Sequence, residues 1–387
     1  MRPTEKKLLG LICRVAQVGC KELKVGIGDD CAVVRHTAGE DLLFSTDLLL
    51  EGMHFRLDWT TPFLLGYKAL AVNVSDIAAM GGRPLLYLVS LGLPARQARS
   101  TFVERLYLGM ELAAREYRVA LGGGDLSGSN SGVVISIAIA GLAAADKAFL
   151  RRGAQPGDHL FVCGHLGLSA IGLELLRAGY RVPLGMKKES MLNKRAGTSI
   201  SLVQWRKRCV LAHLAPTPPV DVAKDLSAHN LASAMMDISD GLSIDLHRLC
   251  EASGVGAVVY SAQLPGCPHT ILDHEKQRDC MLHGGEDYAL LFTVPKQKAG
   301  HLELLMKRHM DIPIARIGRI TRKEGVFIQE DSVRAPLPPL GYDHFRSRHA
   351  GARIRTGSGG RDLERRRRVV RQPDPRASQN RDEKKKP

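Results

Sequence analysis

The segment most informative about the fold is KALAVNVSDIAAMGG, residues 68–82. With the residues before it, it predicts a helix over 61–80, because Thr61 can cap the first turn and Gly81-Gly82 can end the helix. Asp76 lies in the C-terminal half of this helix, where the helix dipole disfavours negative charge, and its neighbours in the chain are apolar. A carboxylate in that position needs a partner, and a hard cation is one such partner.

Strand-like and helix-like segments alternate on both sides of this helix. The predicted strands are residues 42–46, 85–93, 119–121, 133–142, 159–163, 231–236 and 288–294, and the further helices are 100–117, 169–178 and 242–250. Residues 181–210 predict a loop and one short helix. The order of elements predicts an α+β fold with mixed sheets.

The turn-forming segment GAQPGD, residues 153–158, marks a change in this pattern. We therefore expect an N-terminal domain over residues 1–150 and a C-terminal α/β domain over 151–346. Residues 347–387 lack apolar periodicity and predict a basic, disordered tail.

Acidic residues recur next to glycines and at the ends of apolar segments. They are Asp29 and Asp30 in GIGDD, Asp47 after a strand, Asp76, Asp125 after three glycines, Asp237 and Asp240 in MDISDG, and Glu286 and Asp287 in GGED. A single Asp beside Gly is usually a turn former. The whole set fits that explanation poorly, because several of its members adjoin apolar strand or helix interiors.

Carboxylates that outnumber His and Cys at such positions favour magnesium and phosphate over zinc. The turn from Ser239 to Gly241 opens a helix and is expected to offer free N–H groups to an anion. The sequence contains no Walker A loop, no protein-kinase motif set and no GxSxG motif. These features point to phosphoryl transfer by positioning and charge neutralisation.

Net charge and cysteine spacing bear on the protein's partners and its cellular compartment. The formal net charge is +15, and residues 347–387 supply nine of these charges, so the basic excess says little about the folded part. The eight cysteines show no CxxC spacing, which fits free thiols in a reducing cytosol and predicts a cytoplasmic protein. No signal peptide or membrane-spanning segment is predicted.

The sequence resembles the thiamine-monophosphate kinase family, part of a superfamily that includes aminoimidazole ribonucleotide synthetase, selenophosphate synthetase and a hydrogenase maturation factor. The matching segments are GIGDDCAV (26–33), STDLLLEGMHF (45–55), KALAVNVSDIAAMGG (68–82), GGGDLS (122–127), RRGAQPGD (151–158), MDISDGL (236–242), GGEDY (284–288) and GYDHF (341–345). This resemblance implies a homodimer in which two N-terminal domains form a shared β-barrel, with ATP bound near it.

The resemblance also implies roles for individual residues. The implied magnesium ligands are Asp30, Ser45, Thr46, Asp47, Asp76, Asp125, Asp237 and Asp240, with Asp29 as a supporting residue. Gly124, Asp125, Arg151 and Ser239 are implied to contact ATP, and His54 and Glu286 to contact thiamine monophosphate. The implied reaction transfers the γ-phosphoryl group of ATP directly to the substrate phosphate and needs no catalytic base.

Two departures from the family pattern concern the substrate pocket. Pro219 stands where the family often has Arg after a Pro-x-Pro turn, and Pro338-Pro339-Leu340 stands where an aromatic residue can pack on thiamine. The sequence leaves two alternatives open. One is a related ATP-dependent enzyme acting on another anionic small molecule, and the other is a non-catalytic relative that uses its basic tail to bind nucleic acid.

Overall fold

The structure is a computed structural model that describes residues 5–15, 21–37, 39–181, 201–309 and 311–344. The predicted tail at 347–387, and residues 182–200 of the predicted loop, lie outside these ranges. The first elements in chain order are α1 (Glu5–Val15), β1 (Leu23–Val25), β2 (Ala32–Arg35), β3 (Glu40–Leu50), α2 (Pro62–Ala79), β4 (Arg83–Leu93), α3 (Ser100–Tyr117), β5 (Ala120–Gly128) and β6 (Val134–Ala144).

The remaining elements build a second sheet and its helices. They are β7 (His159–Cys163), α4 (Leu168–Arg177), α5 (Leu202–Leu214), α6 (Val220–Ala228), β8 (Ala234–Ile238), α7 (Leu242–Ser253), β9 (Gly256–Tyr260), α8 (His274–His283), β10 (Ala289–Val294), α9 (Ala299–Met306), β11 (Ile314–Thr321), β12 (Gly325–Glu330) and β13 (Val333–Pro336). Short 3₁₀ turns lie at Ser261–Gln263 and Lys296–Lys298.

The N-terminal sheet has six strands in the order β1-β2-β3-β6-β4-β5, and only β4 and β5 run parallel to each other. Helices α2 and α3 pack together at very close range. A Cβ atom at Gly66 would lie 1.8 Å from the Leu106 carbonyl oxygen, and one at Gly109 would lie 1.8 Å from that of Phe63. Glycine is therefore required at both helix positions, despite its low helix propensity.

The C-terminal sheet has seven strands in the order β13-β12-β9-β11-β7-β10-β8. Its strands are antiparallel to their neighbours except for the parallel pair β9 and β12. Apolar residues of α7 cover one face of the sheet. Ala78 and Ala79, at the end of α2, belong to the core on its other face. This contact brings the last turn of α2 next to the strands of the second sheet.

The two-domain α+β fold with mixed sheets is as predicted, and Thr61 caps α2 by accepting a hydrogen bond from the Leu64 N–H at 3.2 Å. Within one chain, the described strands of the N-terminal sheet do not close into a barrel. None of the helices in the described ranges has both the length and the apolar character needed to cross a bilayer.

Three of the wrongly predicted element boundaries concern acidic residues. Strand β3 continues past Asp47 to Leu50, because β6 pairs with all eleven of its residues. The Gly-rich segment around Asp125 is strand β5 and not a loop, because β4 supplies a parallel partner along its length. Asp237 lies inside β8, paired with Leu290 of β10, and not in the turn that follows.

Candidate active site

Three carboxylates from distant parts of the chain meet at the junction of α2 with the second sheet. Asp30 precedes β2, Asp76 lies in the last turn of α2, and Asp237 lies in β8. One carboxylate oxygen from each lies within 4.8 Å of the others. Asp30 and Asp237 are 8% and 2% exposed and Asp76 is half-buried, so the cluster is partly shielded from bulk water.

Serine hydroxyls from two neighbouring elements orient this cluster. Ser45 of β3 donates a hydrogen bond to Asp76 Oδ2, and Ser75 of α2 donates to Asp237 Oδ2 at 2.7 Å. Because Ser75 and Asp76 are adjacent in α2, this helix contributes one member of the cluster and holds another.

The electrostatic environment of the cluster is unfavourable for negative charge. Burial is the first cause that raises the pKa of Asp30, Asp76 and Asp237, and neighbouring carboxylates add to it for the last two. Burial and then the charge of Asp240 raise the pKa of Asp47 to about 6. Such a group of acids gains stability from a proton or a cation.

Arg151 places a positive charge next to the carboxylate cluster. Its guanidinium contacts Asp30 Oδ1 at 2.5 Å, and its backbone N–H donates to the Asp29 carboxylate at 3.2 Å. Asp29 therefore fixes the turn that carries Asp30. Burial and then the charge of Asp30 raise the pKa of Asp29 to about 6.

The cluster fits a hard divalent cation. The other oxygen of Asp30, Oδ2, is buried and has no hydrogen-bond partner among the described residues. The three clustered groups are carboxylates, the ligand type that Mg²⁺ prefers. An unsatisfied buried carboxylate oxygen beside two further carboxylates is the arrangement that an ion with oxygen ligands completes.

The charge of Asp47 helps to raise the pKa of Asp76, and that of Asp240 acts on Asp47, but both residues have other contacts. The Asp47 N–H donates to Asn73 Oδ1 at 3.0 Å, which ties β3 to α2. Asp240 accepts a hydrogen bond from Arg248 at 2.7 Å. The same arginine contacts Asp245 at 2.7 Å.

The expected free N–H groups at the start of α7 are occupied, which corrects the sequence interpretation. Both the Asp240 and Gly241 N–H groups donate to Asp245 Oδ2 at 3.1 Å. Asp245 is fully buried, and burial followed by the charge of Asp240 raises its pKa to about 7. The sequence signal for this interaction is Asp245 itself, an acidic residue in the first turn of a helix.

Thr46 and Asp125 are not brought to the cluster within one chain. Thr46 lies between Ser45 and Asp47 on β3, so its side chain faces the opposite side of the sheet. Asp125 and Gly124 lie on β5, whose nine residues are all exposed. Strand β5 is three strands away from β3, about 14 Å along the sheet.

The two residues expected to contact thiamine monophosphate lie beside each other in a second polar group. Glu286 contacts Lys68 Nζ at 2.9 Å and His213 Nδ1 at 3.0 Å. The ring of His54 lies 5.0 Å from that of His344, centroid to centroid. Burial, and then the charge on His344, lower the pKa of His54, while Glu286 opposes this shift.

Ser239 links this group to the carboxylate cluster, because its carbonyl oxygen accepts a hydrogen bond from the Glu286 N–H at 2.7 Å. Lys68 and His213 were not predicted as site residues. The signal for Lys68 was present in the sequence as a charged residue inside an apolar helix, like Asp76.

Comparison with known proteins assigns the family. The chain matches the model for the AIR synthase related protein N-terminal domain over residues 28–143 and the C-terminal domain model over 155–331. It is 36% identical to thiamine-monophosphate kinase of Aquifex aeolicus, covering 89% of this chain and 100% of the relative. For the Bacillus subtilis enzyme the identity is 34%, with 83% and 94% covered. The chain belongs to the thiamine-monophosphate kinase family.

Solved structures agree with membership of the thiamine-monophosphate kinase family. AaThiL complexed with AMPPCP and TMP matches with a TM-score of 0.72 and 34% identity, covering 89% of this chain and 99% of that chain. The hydrogenase maturation protein HypE matches with a TM-score of 0.59 at 18% identity, which shows a shared fold only.

Proposed function

We propose that this protein transfers the γ-phosphoryl group of ATP to thiamine monophosphate, producing thiamine diphosphate and ADP in a magnesium-dependent reaction in the cytoplasm. The observation that carries the proposal is the largely buried cluster of Asp30, Asp76 and Asp237, whose like charges a divalent cation would balance. The similarity to named thiamine-monophosphate kinases over most of the chain supports the choice of substrates.

The proposed reaction requires the protein mainly to bind and orient its ligands. The attacking oxygen belongs to a phosphate that is already anionic near neutral pH, so no residue is assigned as a general base. The proposed magnesium ligands are Asp30, Ser45, Thr46, Asp47, Asp76, Asp125, Asp237 and Asp240. Bound Mg²⁺ would supply neutralisation of phosphate charge.

Gly124, Asp125, Arg151 and Ser239 are proposed to contact ATP. Beside the GGGD segment, a cavity of about 300 Å³ is lined by Tyr87, Glu104, Tyr107, Leu108, Glu111 and Leu121. The ring of Tyr107, which is partly exposed, and the apolar side chains of Leu108 and Leu121 suit the flat base of a nucleotide. Leu121 joins the cavity to the glycines, where the backbone can approach phosphates closely.

A homodimer is proposed because the N-terminal sheet leaves one face uncovered. Phe44, Leu48 and Leu88 are 44%, 50% and 45% exposed on that face, which is more apolar surface than a solitary chain normally shows. Thr46 and Asp125 lie on this same face, since Asp125 pairs in register with the exposed Ser90. A second copy covering the face would bring its own Asp125 towards the Asp47 strand of the first.

For the substrate, we propose that His54 and Glu286 contact the thiamine moiety. The aromatic residue expected before GYDHF is absent, but the structure offers two rings nearby. His344 lies 5.0 Å from His54 and 4.8 Å from Tyr342, centroid to centroid. We assign Tyr342 and His344 as the packing surface for the substrate ring. The domains are proposed to divide between residues 150 and 151.

Product analysis tests the proposal directly. The protein is incubated with ATP, MgCl₂ and thiamine monophosphate, and the products are separated by chromatography. We expect thiamine diphosphate and ADP in equal amounts, with no product from free thiamine and none in EDTA. ATP consumption with a different anionic acceptor only, or none with any acceptor, would refute the proposed function.

A further inference from the structure

Two buried residues outside the proposed ligand set contact both oxygens of the Glu286 carboxylate. Lys68 Nζ of α2 lies 2.9 Å from Oε1, and His213 Nδ1 of α5 lies 3.0 Å from Oε2. Lys68 is 3% exposed and His213 is 5% exposed. Neither is a ligand in the proposed metal or ATP site, so their burial needs another explanation.

A buried lysine is costly unless a negative partner compensates its charge. Glu286 is that partner, and the Lys68 Nζ also donates to the His54 carbonyl oxygen at 3.4 Å. Although burial alone would act in the opposite direction, Lys68 and then His213 lower the pKa of Glu286 below its ordinary range. The carboxylate is therefore held as an anion, and 26% of its side chain remains exposed, so a ligand can reach it.

The histidine is fixed as well. Ser169 Oγ lies 3.1 Å from His213 Nδ1, and Ser169 is fully buried. Burial, followed by the charge of Lys68, lowers the pKa of His213, which favours the neutral imidazole. With its proton on Nδ1, the neutral ring donates to Glu286, and the serine adds a second contact to the same nitrogen.

The backbone of Glu286 is constrained too. Its φ angle is 66°, a left-handed conformation that few non-glycine residues adopt. The Glu286 N–H is tied to the Ser239 carbonyl oxygen, and the Tyr288 N–H to that of Ile238 at 2.9 Å. Strained backbone of this kind persists where the surroundings fix it, and it concentrates at functional sites.

We propose that Lys68 and His213 are positioning residues that hold the Glu286 carboxylate ionised and aimed at the amino group on the pyrimidine ring of the substrate. This inference rests on the proposed function. Each carboxylate oxygen has two lone pairs, so one remains on each after the contacts with Lys68 and His213. The positive charge of Lys68 balances that of Glu286, so the pocket selects a hydrogen-bond donor without carrying net charge itself.

Steady-state kinetics of Lys68→Met and His213→Ala test the inference. A hydrogen bond to a charged group corresponds to about a 10- to 100-fold change in affinity. We expect Lys68→Met to raise the KM for thiamine monophosphate by that factor, with the KM for ATP within twofold of wild type. His213→Ala should act in the same direction, and His213→Asn, which keeps a donor near the Nδ1 position, should restore most of the loss.

The control is Lys24→Met, which removes a lysine from an ion pair in the same domain. Lys24 contacts the buried Asp41 at 2.6 Å, and neither residue belongs to the proposed site. Lys24→Met should lower the melting temperature and leave both KM values unchanged. If Lys68→Met and His213→Ala behave in the same way, the Glu286 contacts are structural only and the inference is wrong.

A substrate analogue without the pyrimidine amino group locates the contact. Wild type should prefer thiamine monophosphate over the analogue by about the same 10- to 100-fold factor, and Lys68→Met should show a ratio near one. An undiminished preference in the variant would overturn the assignment. If Lys68→Met does not fold, the KM values of His213→Ala and His213→Asn for thiamine monophosphate decide whether the contacts position Glu286 or are structural only. Absence of product with wild type would refute the proposed function, whereas normal wild-type turnover with unchanged variants would refute only the positioning role.

Discussion

Replacing Asp76 with Asn should make the metal-free protein more stable while it removes activity. Asn keeps the shape of the side chain and an oxygen that can accept the Ser45 hydrogen bond. The substitution removes one of three negative charges whose oxygens lie within 4.8 Å of each other. The expected gain therefore comes from lost repulsion and not from a new contact.

The size of the gain follows from the geometry. Two unit charges 4.8 Å apart repel by about 3.5 kcal/mol at an effective dielectric constant of about 20. Asp76 takes part in two of the three pairs, but burial and its neighbours raise its pKa, so a bound proton already relieves part of this repulsion. We expect the free energy of unfolding in EDTA to rise by about 1–3 kcal/mol.

Urea unfolding in EDTA and in MgCl₂, with turnover measured in parallel, provides the assay. Wild type should be stabilised by MgCl₂, whereas Asp76→Asn should lose most of that increment and show turnover lower by three orders of magnitude or so. Asp41→Asn is the matched control, because Asp41 is also a carboxylate removed from solvent, 1% exposed, but is paired with Lys24. Asp41→Asn should be less stable than wild type in EDTA, because it loses this ion pair. A destabilised Asp76→Asn variant with the wild-type response to magnesium would refute the metal site.

Three further predictions concern the dimer, pH and helix packing. If Asp125 acts on the partner's site, inactive Asp125→Asn and Asp76→Asn subunits mixed in equal amounts should recover about a quarter of wild-type activity, because half the dimers contain one intact site; no recovery after verified subunit exchange would contradict this. Burial raises the pKa of Asp287 to about 7 from an ordinary 3.8, so its contribution to stability is fully present below pH 4 and is lost as the pH rises through 7; Asp287→Asn should flatten the pH dependence of urea unfolding over that window, and an unchanged slope would show that the carboxyl stays ionised. Gly66→Ala should destabilise the protein by about 3 kcal/mol or more, since its Cβ would lie 1.8 Å from the Leu106 carbonyl oxygen; thermal unfolding measures this, and a loss below 1 kcal/mol or so would show that α2 and α3 separate easily.

Sequence patterns predicted the helix around Asp76 and indicated that its carboxylate needs a partner, because both inferences depend on local chemistry. They could not show that Asp30 and Asp237 would be its neighbours. Asp237 reaches Asp76 only because α2 packs against the second sheet, and Asp237 lies 162 positions after Ser75 of α2. The family resemblance supplied the grouping, and the structure brings these three residues together.

Other features depend on which of several partners a segment finds, or on contacts between distant residues. These were predicted wrongly or were not predicted. The GGGD segment looks like a loop, but an available neighbouring strand makes it β5. The turn at Ser239 looks open to an anion, but the side chain of Asp245 reaches its N–H groups first. The contacts of Lys68 with Glu286 combine residues 218 positions apart, and no local pattern encodes them.

Helix α2 holds two acidic residues of the C-terminal domain along one of its faces. Lys68 contacts Glu286 and Ser75 contacts Asp237, and seven residues of α-helix place these anchor points about 10 Å apart in nearly the same direction. A helix does not stretch, so the interval between the ring end and the phosphate end of the proposed site is constant. This fixed distance therefore selects acceptor molecules that are long enough to occupy both ends at once. From the proposed site, we expect a molecule that reaches only one end to bind without reacting.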